Sequence, residues 1–234
     1  MDNKRPSSSY FQAVLAVAWK DLAAELRSRE LLSAMLVFAL LVILIFNFSL
    51  ELDKEARENV TAGVLWTTFA FAGTLGLNRS MAVEKDRGCL DGLLLAPVDR
   101  SAIYFGKAIS NLAFMLLVEI IVLPVYSILY TSVSTMRLFT PAFLGVTLLG
   151  SIGYVAVGTL LASMAVQSRT RDVMLPILLF PVIVPVLVAS VQASRAILQA
   201  LEMSEVMAWV NLLIVYDVIF IALAFMVFDY VVEE

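Results

Sequence analysis

The sequence contains no histidine, and its 234 residues include a single cysteine, Cys89. These absences exclude disulfide frameworks, CxxC redox pairs, Cys/His zinc sites and acid/base catalysis by histidine, and they leave a haem iron no histidine ligand from this chain. Charge is also scarce, because 15% of the residues are charged against about 25% in ordinary soluble domains. The net charge of −4 and the pI near 5.0 indicate no basic surface for nucleic acid.

Apolar residues, in contrast, make up 61% of the chain. A helix needs about 20 apolar residues to cross a hydrocarbon core of ~30 Å, and the chain holds six such runs. We therefore predict an all-α integral membrane protein with a single transmembrane domain over residues 1–234 and no separate soluble domain. The predicted spans are 31–50, 60–77, 109–130, 143–166, 173–191 and 207–228.

An amphipathic helix is predicted before the first span, over residues 10–29. Its apolar residues recur with a helical period, which favours a helix lying in the membrane interface. A helix that simply packs on other helices explains the same pattern. The residues predicted to share the apolar face are Phe11, Val14, Leu15, Ala18, Leu22 and Leu26.

The distribution of basic residues predicts that both termini are cytoplasmic. Six spans place the termini on one side of the membrane, and cytoplasmic flanks carry an excess of Lys and Arg. With the termini inside, only four of the 16 basic residues lie outside, namely Lys54, Arg57, Arg137 and Arg195.

Two of the spans have unusual compositions. The fourth contains Gly145, Gly150, Gly153 and Gly158, which let helix backbones approach closely in lipid. The fifth contains prolines that remove backbone donors and kink or break a helix, either to line a cavity or only to bend it. These prolines are Pro176, Pro181 and Pro185.

The longest polar segment, residues 78–108, is predicted to be a cytoplasmic coupling segment. Leu90, Leu93 and Leu94 share one face of a short helical turn that Pro97 ends, and Asp99 or Ser101 can cap the next helix. The apolar face either inserts into a groove on a soluble partner or folds back onto the membrane surface. The candidate docking residues are Leu90, Asp91, Leu93, Leu94, Leu95, Pro97 and Arg100.

Direct nucleotide binding by this segment is not expected. Gly106-Lys107 resembles the end of a phosphate-binding loop, but Ser101 stands where the first glycine of that loop belongs and Ala108 follows the lysine. The chain therefore has no Walker A loop, and any ATP is expected on another subunit.

Two acids, Glu119 and Asp217, lie deep in the third and sixth spans. Burying a charge at that depth costs at least ~2.5–3.5 kcal/mol, and no span contains Lys or Arg to pair with them. They are either polar sites in a translocation or assembly interface, or neutral acids that hold helices together. Expected partners are a cation on another subunit or the side chains of Tyr126, Ser127, Asn211 and Tyr216.

Several segments spread over the whole chain resemble the CcmB family, the membrane subunit of the haem exporter complex of bacterial cytochrome c maturation. The most specific are the run from Asp91 to Arg100, which contains Leu-Leu-Leu-Ala-Pro, and the triple-proline stretch from Leu175 to Pro185. Lys20-Asp21-Leu22, Gly106-Lys107, Glu119 with Leu123-Pro124, and Tyr216-Asp217 add to the likeness.

The resemblance implies a non-catalytic permease subunit of an ABC transporter, related to the ABC-2 exporters, in the bacterial inner membrane. It implies a separate ATPase, CcmA, together with CcmC, CcmD and the haem chaperone CcmE. ATP would bind the ATPase and haem would be handled by the partners, so no cofactor is expected on this chain. Paired ATPases need two membrane halves, so two copies of the chain are expected.

Three alternatives remain open at this point. The chain could be an ABC-2-type permease for another apolar cargo, such as a lipid or a drug. It could be a scaffold that assembles haem-handling subunits and transports nothing. A secondary transporter that uses Glu119 and Asp217 as proton sites would leave the coupling segment unexplained.

Overall fold

The computed structural model describes residues 10–49, 54–86, 92, 98–130, 133–166, 168 and 170–231, and seven α-helices and one 3-10 helix span most of these residues. Over these ranges there is no β-strand. The helices are α1 (Tyr10–Ser28), α2 (Glu30–Ser49), α3 (Lys54–Asp86), α4 (Arg100–Leu129), the 3-10 helix (Val133–Phe139), α5 (Pro141–Ala165), α6 (Arg171–Leu198) and α7 (Met203–Val231).

Six of these helices are long and apolar enough to cross a membrane, which confirms the predicted all-helical class and the number of such helices. They extend past the apolar runs at several ends, most of all in α3, which continues to Asp86, and in α4, which begins at Arg100. The extensions form because backbone hydrogen bonding continues into polar residues whose side chains find partners on neighbouring helices. The polar stretch 78–108 is therefore helical at both of its ends.

Helices α3 and α5 form the centre of the bundle, while α2 and α7 lie at its edge. About 72% of the apolar window of α3 and 67% of that of α5 are buried, against 22% for both α2 and α7. Close packing around α5 depends on glycine, because side chains of neighbouring helices occupy the space of a Cβ at Gly150, Gly153 and Gly158. At Gly145 this space is empty, so that glycine does not serve the close approach that its presence in the span suggested.

Helix α1 packs along the first turns of α4. Its side chains Ala13, Val14, Val17 and Ala18 are buried, and a Cβ on Gly106 of α4 would lie 2.9 Å from the Val14 carbonyl oxygen. The predicted single apolar face is therefore divided, since Val14 and Ala18 are buried whereas other large residues of α1 are exposed. The exposed large apolar residues of α1 are Phe11, Leu15, Trp19 and Leu26.

The turn from α1 to α2 is fixed by a carboxylate. Arg29 has a positive φ of 55°, and its amide donates to the Glu25 carbonyl. The buried Glu25 carboxylate accepts a hydrogen bond of 2.9 Å from the Leu32 amide in the first turn of α2. The first amides of a helix have no partner within it, so Glu25 stabilises the start of α2 as a cap.

Candidate functional site

The predicted docking residues are mostly outside the described part of the chain. Leu90, Asp91, Leu93, Leu94, Leu95 and Pro97 belong to the ranges 87–91 and 93–97, which the structure does not describe. Arg100 is half-buried and begins α4. Asp99 precedes it as the N-cap residue, but its side chain makes no capping hydrogen bond, and the Ser101 hydroxyl accepts from the Tyr10 hydroxyl instead.

What the structure does show is how the two helices that flank this segment are held. Lys107 of α4 is 2% exposed, and its ammonium group forms ion pairs with Glu84 of α3 and, at 3.0 Å, with Asp21 of α1. Lys20 also pairs with Glu84 and, at 3.1 Å, with Asp21. We call Lys20, Asp21, Glu84 and Lys107 the ion cluster. It joins α1 to the two helices that flank the docking segment in sequence.

The ion cluster has alternating charges, and three of its members, Asp21, Glu84 and Lys107, have little access to water, whereas the Lys20 side chain is 42% exposed. The Ser110 hydroxyl adds a hydrogen bond of 3.2 Å to Asp21 Oδ2. Burial by itself would raise the pKa of Asp21, but the ammonium groups of Lys107 and Lys20 outweigh it and lower that pKa below its ordinary value. Burial likewise opposes the charge of Lys20, but Glu84 and Asp21 raise its pKa above the ordinary value. The shifts of Asp21 and Lys20 therefore both favour the charged, paired forms of these two groups.

The sequence around Lys107 resembles only the end of a phosphate-binding loop and does not reveal the ion pairs of this lysine. One feature of the sequence does point to ion pairing, since Lys107 stands within an otherwise uncharged stretch from Ser101 to Ser110. A lysine in such a stretch needs a carboxylate partner if the helix is buried. Removing one member of a buried ion pair costs about 3–5 kcal/mol. The position of the partners in α1 and α3, far away in sequence, could not be read from that pattern.

The end of α3 is also tied to α6. The Arg171 guanidinium donates a bidentate pair of hydrogen bonds to the Asp86 carboxylate, with nitrogen to oxygen distances of 3.0 and 2.9 Å. The Asn78 amide donates to the Asp172 carboxylate at 3.0 Å. The last turns of α3 thus connect to α1 and α4 through Glu84 and to α6 through these two contacts.

A cleft of about 230 Å³ opens beside the ion cluster, between α1, α2, α3 and α4. Charged side chains line it, among them Glu30 and Arg79, which form an ion pair of 2.8 Å. Leu31 and Phe114 contribute apolar walls. Across the described ranges no group of three or more Cys, Asp or Glu side chains could hold a metal ion.

The two intramembrane acids are buried at separate places around α5. Glu119 is 2% exposed and accepts a hydrogen bond of 2.6 Å from the Ser151 hydroxyl, a partner that the sequence did not suggest. Asp217 is 5% exposed and lies against Gly153. Tyr216, an expected partner, donates to the Val182 carbonyl.

The three prolines of the fifth span lie within one continuous helix, α6, so none of them breaks it. Pro181 and Pro185 are exposed on the outside of the chain, and Pro176 is half-buried. These exposures place the last two prolines at the outer surface and not in the core of the chain. A bend at these positions remains a prediction.

Comparison with known proteins identifies the family. A family model described as CcmB protein matches residues 12–233. The chain belongs to the CcmB family. Individual relatives agree with this assignment. The chain is 27% identical over 183 residues to heme exporter protein B of Rhodobacter capsulatus, a match that covers 77% of the chain and 81% of that protein.

Two further relatives carry the same name. Heme exporter protein B of Paracoccus denitrificans is 25% identical over 183 residues, with 77% of the chain and 81% of the relative covered. That of Pseudomonas aeruginosa is 22% identical over 174 residues, with 74% and 77% covered. CcmB membership together with six helices of sufficient length and apolarity makes the chain a multi-pass membrane protein.

Proposed function

We propose that the chain is the membrane permease subunit of an ABC transporter complex that acts in haem export, or in the release of the haem-loaded chaperone CcmE, during cytochrome c maturation. The family match over residues 12–233 carries this proposal, and the relatives named heme exporter protein B support it. The complex would lie in the bacterial inner membrane and contain CcmC and CcmD. Haem would be held by these partners, since the chain has no histidine to ligate its iron.

The energy for this function would come from the separate ATPase CcmA. The chain has no Walker A loop, and the leucine spacing between α3 and α4 predicts an apolar face that would suit a groove on a soluble protein. The described helices on both sides of this segment are held by buried ion pairs, so a force applied there would reach the bundle. The docking residues are Leu90, Asp91, Leu93, Leu94, Leu95, Pro97 and Arg100.

ATP binding would close two ATPase copies and rock the membrane helices of an ABC-2-type permease. Two copies of the chain would therefore be present in each complex. Both termini would be cytoplasmic, in keeping with the excess of basic residues on that side. Helix α1 would lie in the membrane interface, with the exposed Phe11, Leu15 and Trp19 in contact with lipid.

The intramembrane acids would serve the translocation or assembly interface. Glu119 and Asp217 are buried within the chain, and intramembrane acids of this kind usually mark functional sites. Because Pro181 and Pro185 are exposed, a bend of α6 at these residues would lie where lipid or a partner subunit can contact it.

Docking is tested by replacing Leu93 or Leu94 with Asp and measuring copurification of the ATPase. An aspartate in an apolar groove would be desolvated without a partner, so we expect at least tenfold less ATPase bound. Met136→Asp is the matched control, because Met136 is 83% exposed and lies on the side predicted to be external. Unchanged copurification and turnover in the leucine variants would exclude docking at this segment.

A further inference from the structure

Two members of the ion cluster flank the docking segment in sequence, one on each side. Glu84 stands just before the segment, close to the end of α3, and Lys107 stands two turns into α4 after it. Their ion pair therefore holds together the two helices that precede and follow the segment in the chain. Asp21 pairs with the same ammonium group, so α1 is joined to both helices at this point.

We propose that Lys107, Glu84 and Asp21 are positioning residues that make α1 and the adjoining ends of α3 and α4 move as one unit when the docking segment is displaced. This inference rests on the proposed function, because the displacement is the one that the partner ATPase would impose. None of the three residues needs to touch the ATPase or the cargo.

The geometry of the cluster favours a role in transmission over a role in stability alone. Apolar side chains of similar volume often stabilise a buried site as well as an ion pair does, but they tolerate sliding of one helix along another. Opposite charges at about 3 Å, buried away from water, fix the relative position of the helices that carry them. The Lys107 ammonium contacts carboxylates from two different helices, which fixes both against α4.

Two further contacts extend the unit beyond these charges. The close approach of Val14 to Gly106 leaves no space for α1 to shift towards α4. On its other side α3 is linked to α6 by the pairing of Asp86 with Arg171. Motion of the docking segment would therefore pass to α1 and α4 on one side of α3 and to α6 on the other.

The test is a neutral triple variant, Asp21→Asn with Glu84→Gln and Lys107→Met, in the complete complex. It removes the three buried charges of the cluster, leaves only Lys20, whose side chain is 42% exposed to water, and does not touch the docking leucines. We expect the ATPase to copurify and ATP hydrolysis to remain within about twofold of the unmodified complex, while chaperone release per ATP falls at least tenfold. A folded triple variant with unchanged release per ATP would overturn the inference, since a merely structural cluster would give that result.

The matched control removes an exposed ion pair of α2 and α3, with Glu30→Gln and Arg79→Met. Release per ATP should remain that of the unmodified complex in this control, and an equal loss there would overturn a specific role of the ion cluster. Copurification of the ATPase with the unmodified chain is measured before any variant is made. Absence of binding there would contradict the proposed function itself, whereas the variants test only the role of the ion cluster.

A distance measurement keeps the inference testable if the triple variant does not fold. Spin labels at Leu15→Cys in α1 and Ile109→Cys in α4, in a Cys89→Ser background, report the relative movement of these helices; both positions are exposed. We expect the label distance to agree within about 3 Å between the nucleotide-free and ATP-trapped complexes. A change of more than about 5 Å would show that α1 and α4 move separately and would overturn the inference.

Discussion

Small residues of α5 accommodate the two buried acids, Glu119 and Asp217, inside the bundle. The Ser151 hydroxyl reaches Glu119, and Gly153 leaves the space in which the Asp217 carboxylate lies. A larger residue at either position would displace the acid, because interior packing leaves few voids. Helix α5 thus provides both the close approach of its neighbours and the surroundings of their polar groups.

The hydrogen bond between Ser151 and Glu119 predicts how substitutions of this acid behave. In Glu119→Gln the amide oxygen still accepts from Ser151, so we expect the thermal midpoint of the detergent-purified chain to stay within a few degrees of the original. In Glu119→Ala the serine hydroxyl loses its acceptor and a cavity forms, which destabilises by about 1–3 kcal/mol for the hydroxyl alone. Equal losses of stability in both variants would contradict a role of this hydrogen bond in stability. A stable Glu119→Gln variant without activity would show that the carboxyl group itself is required.

Glycine at position 106 is required by a backbone contact. In Gly106→Ala the new Cβ would lie 2.6 Å from the Val17 Cβ and 2.9 Å from the Val14 carbonyl oxygen, so α1 has to move away from α4. Such overpacking costs about 1–3 kcal/mol, and we expect faster proteolysis of α1 and a lower thermal midpoint. Gly145→Ala is the matched control, since nothing lies within 4 Å of its added Cβ. If both variants behave like the original chain, α1 is not seated on Gly106.

At the scale of single elements, α1 differs most from its description by hydropathy alone. One side packs on α4, another exposes Phe11, Leu15 and Trp19, and the polar residues Lys20 and Asp21 enter the ion cluster. The helix is therefore attached by charge as well as by apolar contact. Its attachment should respond to pH.

The pKa shifts of α1 predict the pH range in which it stays attached. The pKa of Asp21 is lowered from 3.8, so the stability it contributes is complete above pH 3.8 and is lost as the pH falls further. The pKa of Lys20 is raised from 10.5, so its contribution is complete below pH 10.5 and is lost as the pH rises through the shifted value. We expect proteolysis of α1 to be slow between these limits and to increase beyond both.

The variant Asp21→Asn provides the check on the acidic limit. It removes the group that titrates there, so the increase in proteolysis below pH 3.8 should become smaller while the alkaline limit remains. A pepsin digest on the acidic side and a subtilisin digest on the alkaline side, each compared with the original chain, measure the two limits. An unchanged acidic limit in this variant would assign it to other carboxylates.

Hydropathy sufficed to predict the number of long apolar helices, because each helix carries its own apolar run. The polar contacts were less accessible, because they join residues distant in sequence. Glu119 was recognised as buried, yet its partner Ser151 is one of many small polar residues on another helix. The sequence around Lys107 suggests a phosphate-binding loop and not an ion pair, because the carboxylates that pair with it lie in α1 and α3. Asp99 stands at the predicted cap position without making the bond, since position alone does not fix a side-chain rotamer.

For the whole molecule, the described ion pairs are concentrated at one end. The contacts of Lys107, Arg79 and Arg171 all lie where α3 ends and where α4 and α6 begin. At the opposite end Arg137 donates to the Leu198 carbonyl and Gln199 to Asn59. The described ion pairs thus lie at the end of the bundle from which the docking segment extends, and the proposed function assigns this end to the cytoplasm.

The single cysteine allows this orientation to be tested with the native sequence. Cys89 lies in the docking segment, so a membrane-impermeant maleimide should label it in inverted inner-membrane vesicles and not in intact spheroplasts. The reason is that the excess of Lys and Arg near the ends of the helices determines which side is retained in the cytoplasm. Met136→Cys in a Cys89→Ser background should give the reverse pattern, because Met136 is exposed at the opposite end, next to Arg137. Labelling of Cys89 from outside would reverse the orientation and place the docking segment beyond the reach of any cytoplasmic ATPase, which would contradict the proposed function as well.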